Sequence, residues 1–255
     1  MDSAEIESLL SEQIAYYRAR APEYDEAWFR EGPHRGGEEF NRRWQIEIAS
    51  LYNALDAFAP RGDVLEIAAG TGSSTAVLAR YADRITALDS SPEALAVNRT
   101  RLAACTVLID YVEADVFAWE PDRLYDVVSF AFWLSHVPIA RFQRFWELVD
   151  SAMAPGGRFF FVDSAVPRPE LPVSGRRFAH DGIAVEGVDG VTDLEEGTSI
   201  RRLADGRMFK IVKVFWAPPR LESRLAALGW SAQVSQTEWA FIYGSGQRAP
   251  ARHRA

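Results

Sequence analysis

The sequence predicts an α/β protein built on a doubly wound, mostly parallel sheet of seven strands with helices on both faces. Two observations carry that expectation. Between residues 61 and 164, short apolar runs alternate with segments of helical periodicity, and strand, helix, strand, helix is the rhythm of a parallel sheet. At the first strand-to-helix junction the stretch VLEIAAGTGSST, Val64 to Thr75, runs from an apolar strand through a glycine-broken turn into small residues able to open a helix.

Ahead of the sheet, Ile6, Leu10, Ile14 and Tyr17 recur at helical spacing over Ser3 to Ala21, and Pro22 disfavours continuation. Phe40, Trp44, Ile48, Leu51, Leu55 and Phe58 mark a second amphipathic helix, broken by the residues Ala59 to Asp63. The alternating part then reads DVLEI, STAVLARYA, RITALD, SPEALAVNRTRLA, TVLIDYVEAD, YDVVSFAF, PIARFQRFWELVDSAM and GRFFFVDS. Ser91 followed by Pro92 is a helix start with proline at the first helical position, and Ala154 to Gly157 is expected to end a helix before the fifth strand. After Ser164 the rhythm lapses into proline, glycine and charge, over a length too great for an idle connection. TSIRRL and RMFKIVKVFW flank Ala204-Asp205-Gly206, a hairpin turn. A helix from about Pro219 to Leu228 and two strands, SAQVSQTE and WAFIYGSG, close the sheet. With no internal repeat and no low-complexity linker, the expected organisation is one domain over residues 1–246: a helical segment (1–60), a core (61–164), an insertion after the fifth strand (165–216) and a closing part (217–246). Residues 247–255 read as a disordered tail.

Composition narrows the function. With 48% hydrophobic residues, 255 residues can bury a full core. The net charge of -8 argues against nucleic acid or an anionic membrane as partner, because those surfaces need a basic patch, and a small-molecule partner fits better. A single cysteine, Cys105, makes no internal disulfide, the opening MDSAEIESLL lacks the pattern of a signal peptide, and no apolar run approaches the roughly 20 residues that span a bilayer. The expected location is therefore cytoplasmic; the oligomeric state is left open.

The glycine turn decides which ligand suits the sheet. A dinucleotide site asks for G-x-G-x-x-G/A, and Thr75 stands where the third small residue belongs. Glu66 would repel a pyrophosphate brought to this turn and suits a cationic ligand instead. The stretch Glu66-Ile67-Ala68-Ala69-Gly70-Thr71-Gly72 resembles the first motif, E/D-x-G-x-G-x-G, of the class I S-adenosylmethionine-dependent methyltransferases, with Ala68 in place of the first glycine. The resemblance covers residues 61 to 163 well and the closing strands in outline. It implies a Rossmann-like fold and S-adenosyl-L-methionine as cofactor. Glu66, Ala68, Gly70, Thr71 and Gly72 would lie beside the methionine half of that cofactor. Asp89, followed by Ser90, matches the acid that binds the ribose, and Asp115 with Val116 matches the contacts to adenine. Phe130 ends the fourth strand against the cofactor, and AYYRARAPEYDEAWF resembles an N-terminal lid whose Tyr17 and Tyr24 cover it. The plain alternatives are a ligand-free tight turn, aspartates that only cap helices, and an ordinary packed helix.

Methyl transfer from a sulfonium is an in-line displacement, so the protein has mainly to hold the acceptor and exclude water. A hydroxyl acceptor gains from a general base, and His136, just past the fourth strand, has an ordinary pKa near 6.5 that suits the task. The alternative is a histidine that caps or packs under the turn at Pro138. Asp163 is a weaker candidate base. Phe132 and Trp133 are expected to wall an apolar acceptor pocket, with Arg176 and Arg177 in the insertion, beside Arg168, Arg201 and Arg202, gripping an anionic acceptor. No metal is expected, since Ser129 to Phe132 offer no carboxylate after the fourth strand. A nicotinamide-dependent oxidoreductase would use the same fold, but Lys210 and Lys213 are the only lysines and neither follows a tyrosine by four residues, which excludes the short-chain type. A non-catalytic cofactor-binding module stays open, as does the choice among hydroxyl, carboxyl and amine acceptors.

Overall fold

The computed structural model describes residues 1–167, 177–178, 184–187 and 190–250. Helix α1 (Ser3–Arg20) starts at a reciprocal cap in which the Asp2 carboxylate accepts the Glu5 N–H at 2.9 Å and the Glu5 carboxylate accepts the Asp2 N–H at 2.6 Å. Its buried face is Ile6, Leu9, Leu10, Gln13, Tyr16 and Arg20 rather than the purely apolar stripe the spacing suggests, because Gln13 and Arg20 bury polar groups that are hydrogen-bonded. Pro22 opens a tight turn over Ala21–Glu23, after which a short helix α2 (Tyr24–Phe29) ends at Arg30 in the left-handed region. Helix α3 (Glu38–Phe58) follows and buries Trp44, Ile48, Leu51 and Leu55.

The alternating part forms β1 (Asp63–Ile67), α4 (Ser73–Leu78), β2 (Arg84–Asp89), α5 (Pro92–Arg101), β3 (Leu108–Glu113), β4 (Tyr125–Ala131), α6 (Phe142–Ala152) and β5 (Met153–Ser164). Ser91 caps α5 by accepting the Ala94 N–H at 3.1 Å. Residues 154–157 lie inside β5 instead of forming a loop, accommodated by a register irregularity against β4 and by Gly156 at φ 81°. The chain closes through α7 (Pro218–Ala227), β11 (Trp230–Gln236) and β12 (Phe241–Arg248). β12 runs beyond the expected strand end, since Gln247 still pairs with Arg158 and Ser231.

The seven-stranded sheet has the order β11-β12-β5-β4-β1-β2-β3, and β12 alone runs against the others. β1 lies next to the central strand β4 and is buried on both faces as an interior parallel strand requires: Leu65 and Ile67 face a core with Phe130, Phe145 and Trp146, while Val64 faces Leu55, Val77 and Leu78. The strand order reverses between β1 and β4, and the carboxyl ends of these strands flank the crevice where such sheets bind ligands.

The insertion holds far more structure than the hairpin read from sequence. β6 (Arg177–Phe178), β7 (Ala184–Gly187), β8 (Gly190–Asp193), β9 (Thr198–Arg202) and β10 (Met208–Val212) make a second, antiparallel sheet in the order β10-β9-β8-β7-β6. Gly206, at φ 90°, turns the chain between β9 and β10. Residues 213–216 leave the expected strand, because the Val214 N–H donates to the Ser135 carbonyl at 2.8 Å and draws the chain onto the main domain.

α3 is anchored by a buried carboxylate. Glu47 accepts the Thr237 hydroxyl, the Ala240 N–H at 2.7 Å and the Trp239 N–H at 3.3 Å, tying the helix to the turn before β12. Glu47→Ala leaves these donors without their acceptor and is expected to lower unfolding stability by about 2–3 kcal/mol. Urea unfolding with an unchanged m-value and a lower midpoint is the check.

Candidate active site

A cavity of about 290 Å³ opens at the carboxyl ends of β1 and β4. Its floor is the turn 68–74. Ala68 (φ 55°), Gly70 (φ 53°) and Gly72 (φ 90°) all lie in the left-handed region. Gly72 is doubly constrained: an added Cβ would also stand 2.6 Å from the Asn98 side chain, which itself donates to Thr75 at 2.9 Å. Asp89 holds the turn from the side, its carboxylate accepting the Gly70 N–H at 2.8 Å and the Ser91 N–H at 2.8 Å. The Ser90 carbonyl accepts the Arg18 guanidinium of α1 at 2.8 and 3.1 Å.

Helices α1 and α2 border the cavity. Tyr17 and Tyr24 both line it, with ring centroids 6.2 Å apart. Between them and the glycine turn runs a polar clasp: Asp25 accepts the Thr71 hydroxyl at 2.7 Å and pairs with Arg101 of α5, whose guanidinium also donates to the Thr71 carbonyl and the Ser73 hydroxyl, each at 2.7 Å. Trp28, Trp44, Phe132 and Phe241 form an aromatic wall.

Glu66 lies at the end of β1, beneath the turn and almost fully buried, and one of its carboxylate oxygens has no hydrogen-bond partner. Burial pushes its pKa from 4.5 up to about 7, opposed by hydrogen bonds from Thr75 and Ser74 and reinforced by the Asp89 charge. Burial likewise raises Asp89, against the N–H groups of Ser91 and Gly70. A buried carboxylate with one unmatched oxygen behind the glycine turn gives that turn a negative backing, which suits a cationic ligand such as S-adenosylmethionine.

His136 stands across the cavity in the turn after β4. Its Nδ1 lies 2.7 Å from the Val212 carbonyl and its Nε2 lies 2.8 Å from the Tyr17 hydroxyl. A carbonyl only accepts, so Nδ1 carries the proton, Nε2 is the acceptor, and Tyr17 donates to it. Burial, then the Lys213 ammonium, push the His136 pKa well below 6.5, against the Val212 hydrogen bond. This corrects the expectation of an ordinary value: the ring is neutral across the physiological range, and any rate dependence on its protonation moves to more acidic pH. Tyr17 is raised well above 10 and Tyr24 to about 12, both chiefly by burial, so both keep their protons.

Several expected residues fall elsewhere. Phe132 lines the cavity, but Trp133 does not; the left-handed φ of 54° at Phe132 turns the chain so that Trp133 packs against Phe117 and Phe145. Asp115 is exposed and caps its own turn through the Phe117 N–H at 3.0 Å, while Val116 is buried in the core, and neither lines the cavity. Phe130 reaches the lining, although most of its ring stacks on Phe161 at 5.7 Å. Asp163 is committed to structure, accepting the N–H groups of Ser135 and Ser164 at 2.7 Å each. Arg168, Arg176 and the side chain of Arg177 lie outside the described residues. The cations that do line the cavity are Arg20, Arg30, Arg201 and Lys213. Of these only Arg201 stood out in the sequence, although Lys213 is one of just two lysines in the chain.

A parallel sheet with its cavity at the switch point, a glycine turn over a buried acid and a helical lid define a cofactor-binding α/β enzyme fold. The family profile described as "Methyltransferase domain" matches residues 64–157. A solved structure described as the DhpI–SAH complex is 37% identical, with the match covering 95% of this chain and 98% of that one at a TM-score of 0.73. A second, the DhpI–SAM–HEP complex, is 38% identical over 94% and 97% of the two chains at a TM-score of 0.70. Trans-aconitate 2-methyltransferase of Escherichia coli O139:H28 (strain E24377A / ETEC) is 39% identical over 67 residues; the match takes in 26% of this chain and about a quarter (25%) of that relative's length. The chain belongs to the class I S-adenosylmethionine-dependent methyltransferases.

Glu66 provides a test in which folding and binding move in opposite directions. Its folded pKa lies above the unfolded value, so its ionisation destabilises the cofactor-free fold progressively as pH rises from 4.5 through about 7, and the full penalty of about 3 kcal/mol is present above that. Glu66→Gln is therefore expected to raise the stability of the cofactor-free protein at pH 8 by up to that amount while weakening S-adenosylmethionine binding about tenfold or more. Thermal melts and calorimetric titration at pH 5.5 and 8 measure both; a variant that binds as well as wild type at pH 8 removes Glu66 from the site.

Proposed function

We propose that this protein transfers the methyl group of S-adenosylmethionine to an oxygen of a small organic acid. The observation that carries the reading is the division of charge along one cavity. The glycine turn that lines the cavity is backed by the buried acids Glu66 and Asp89, which do not themselves reach the lining, while Arg20, Arg30, Arg201 and Lys213 line it directly with Tyr17 and His136. A cationic cofactor suits the acidic end and an anionic acceptor the basic one. The acid named in the trans-aconitate 2-methyltransferase relative points the same way.

An ionised oxygen needs no base, and the chain's task is then positional. The lid and the aromatic wall exclude water, the cations fix the acid, and the sulfonium and the anion lose their opposite charges together in the transition state, which a dry cavity favours. A second reading, transfer to a hydroxyl of such an acid, is favoured by the Tyr17–His136 hydrogen bond. The acceptor proton would pass to Tyr17 Oη as the Tyr17 proton passes to the neutral Nε2 of His136. Substrate choice falls to the lid and the insertion, since Arg20 comes from α1 and Arg201 and Lys213 from the inserted hairpin and its exit.

A panel of mono-, di- and tricarboxylates, including trans-aconitate, phosphorylated acids, and neutral phenols and alcohols decides the acceptor class. Turnover is expected to concentrate in the acids, and Arg201→Met to raise the acceptor KM about 10- to 100-fold, the loss of one charge-assisted contact, with cofactor affinity unchanged. Preference for neutral acceptors would overturn the proposal. His136→Ala separates the two readings: a fall in kcat of about 10²- to 10⁴-fold marks a hydroxyl acceptor, and an unchanged kcat marks an acceptor already ionised.

A further inference from the structure

Gln13 is a buried amide on the apolar face of α1, one helical turn before Tyr17. Its Nε2 donates to the His136 carbonyl at 3.1 Å and its Oε1 accepts the Val212 N–H at 3.1 Å. Val212 is also the residue whose carbonyl accepts His136 Nδ1. One side chain thus closes a ring joining the lid helix, the turn after β4 and the inserted sheet, and the fixed polarity of the two backbone groups allows the amide only one orientation.

The ring has a reason in the topology. β10 is an outer strand of the five-stranded sheet, paired with β9 on one side only. On its open side the N–H groups of alternate residues point outward, and α1 takes them in succession: Glu12 accepts from Lys210 at 2.6 Å and Gln13 from Val212. Without Gln13, the Val212 N–H and the His136 carbonyl would both lose partners inside the protein. The distance between β10 and the turn that carries His136 would then no longer be fixed.

We propose that Gln13 is the positioning residue of the Tyr17–His136 pair, holding the imidazole in its Nδ1–H form and assembling the pair only when the lid helix and the inserted sheet dock together. This rests on the second reading above, in which the pair takes the proton of a hydroxyl acceptor. The charged and titratable groups that act on the ring are Tyr17 and Arg20 of α1, Arg201 of β9 and Lys213 just after β10, and Gln13 adds no charge to them. Its influence is on geometry.

The test is protein labelled with ¹⁵N-histidine and saturated with S-adenosylhomocysteine, its imidazole nitrogens followed from about pH 5 to 8, a window spanning the ordinary histidine value. Wild-type His136 is expected to hold a single Nδ1–H form throughout. Gln13→Met, equal in length without hydrogen bonds, is expected to mix the two tautomers, with S-adenosylhomocysteine affinity within about twofold and kcat reduced about 10- to 100-fold. An Nε2–H form in the wild type, or an unchanged single form in Gln13→Met, overturns the proposal. Should that variant fail to fold, Gln13→Glu keeps the acceptor for Val212 while removing the donor, and the same spectra decide. The underlying reading fails separately: His136→Ala with undiminished kcat dismisses the pair from catalysis whatever the spectra show.

Discussion

The Asp89 carboxylate takes one backbone N–H from each of two consecutive strand-to-helix turns, Gly70 after β1 and Ser91 after β2. A buried carboxylate is tolerated only when hydrogen-bonded, so neither turn can relax without stranding the charge. The rest of the site hangs from that junction. With Gly70 held, Thr71 presents its hydroxyl to Asp25 and its carbonyl to Arg101, and the lid that bears Tyr24 and Trp28 is fastened to the cofactor turn. An aspartate expected to touch ribose thus already has a structural occupation, and the two roles are compatible because a carboxylate has lone pairs for more than two donors.

The opposite side of the cavity is built by parts remote from one another in the chain. α1 supplies Gln13, Tyr17 and Arg20, the turn after β4 supplies His136, and the insertion supplies Arg201, Val212 and Lys213. Each is held by polar groups of another: the Val214 N–H donates to the Ser135 carbonyl, Lys213 reaches the Ser135 and Ser164 hydroxyls at 2.9 and 3.3 Å, and Gln13 bridges the backbone of His136 and Val212. The core strands fix the glycine-turn side through local turns, whereas the side bearing the cations exists only as a tertiary assembly, so residues there can change without disturbing the sheet.

That difference governs what could be read from sequence. The strands and helices between residues 61 and 164 follow local rules of hydrophobic period, capping and glycine at positive φ, and these place Glu66, Gly70, Gly72 and Asp89 within one crevice. The five-stranded insertion escaped because its short strands alternate weakly and pair only with one another. Helix α2 escaped because Pro22, which stops α1, also starts the turn that leads into it. Gln13 and Lys213 were invisible because their partners lie 49 to 199 residues away along the chain, and a polar residue on an apolar stripe signals only that some partner must exist. Trp133 was misjudged for a single backbone angle, that of Phe132, which periodicity does not report.

Ala68 occupies the place where the family motif has glycine, at φ 55°. A methyl-bearing residue in the left-handed region costs about 1–2 kcal/mol. Replacing glycine by alanine also removes backbone freedom from the unfolded chain, which returns about 0.4–1 kcal/mol. The second term offsets only part of the first, so this departure from the motif costs about 1 kcal/mol of folding stability. The same exchange stiffens the first link of the turn, at a residue that lines the cavity and also packs against the core. Gly72 has no such latitude, because Asn98 fills the space a side chain would need. Of the three positions, the first is set by energetic tolerance and the last by room.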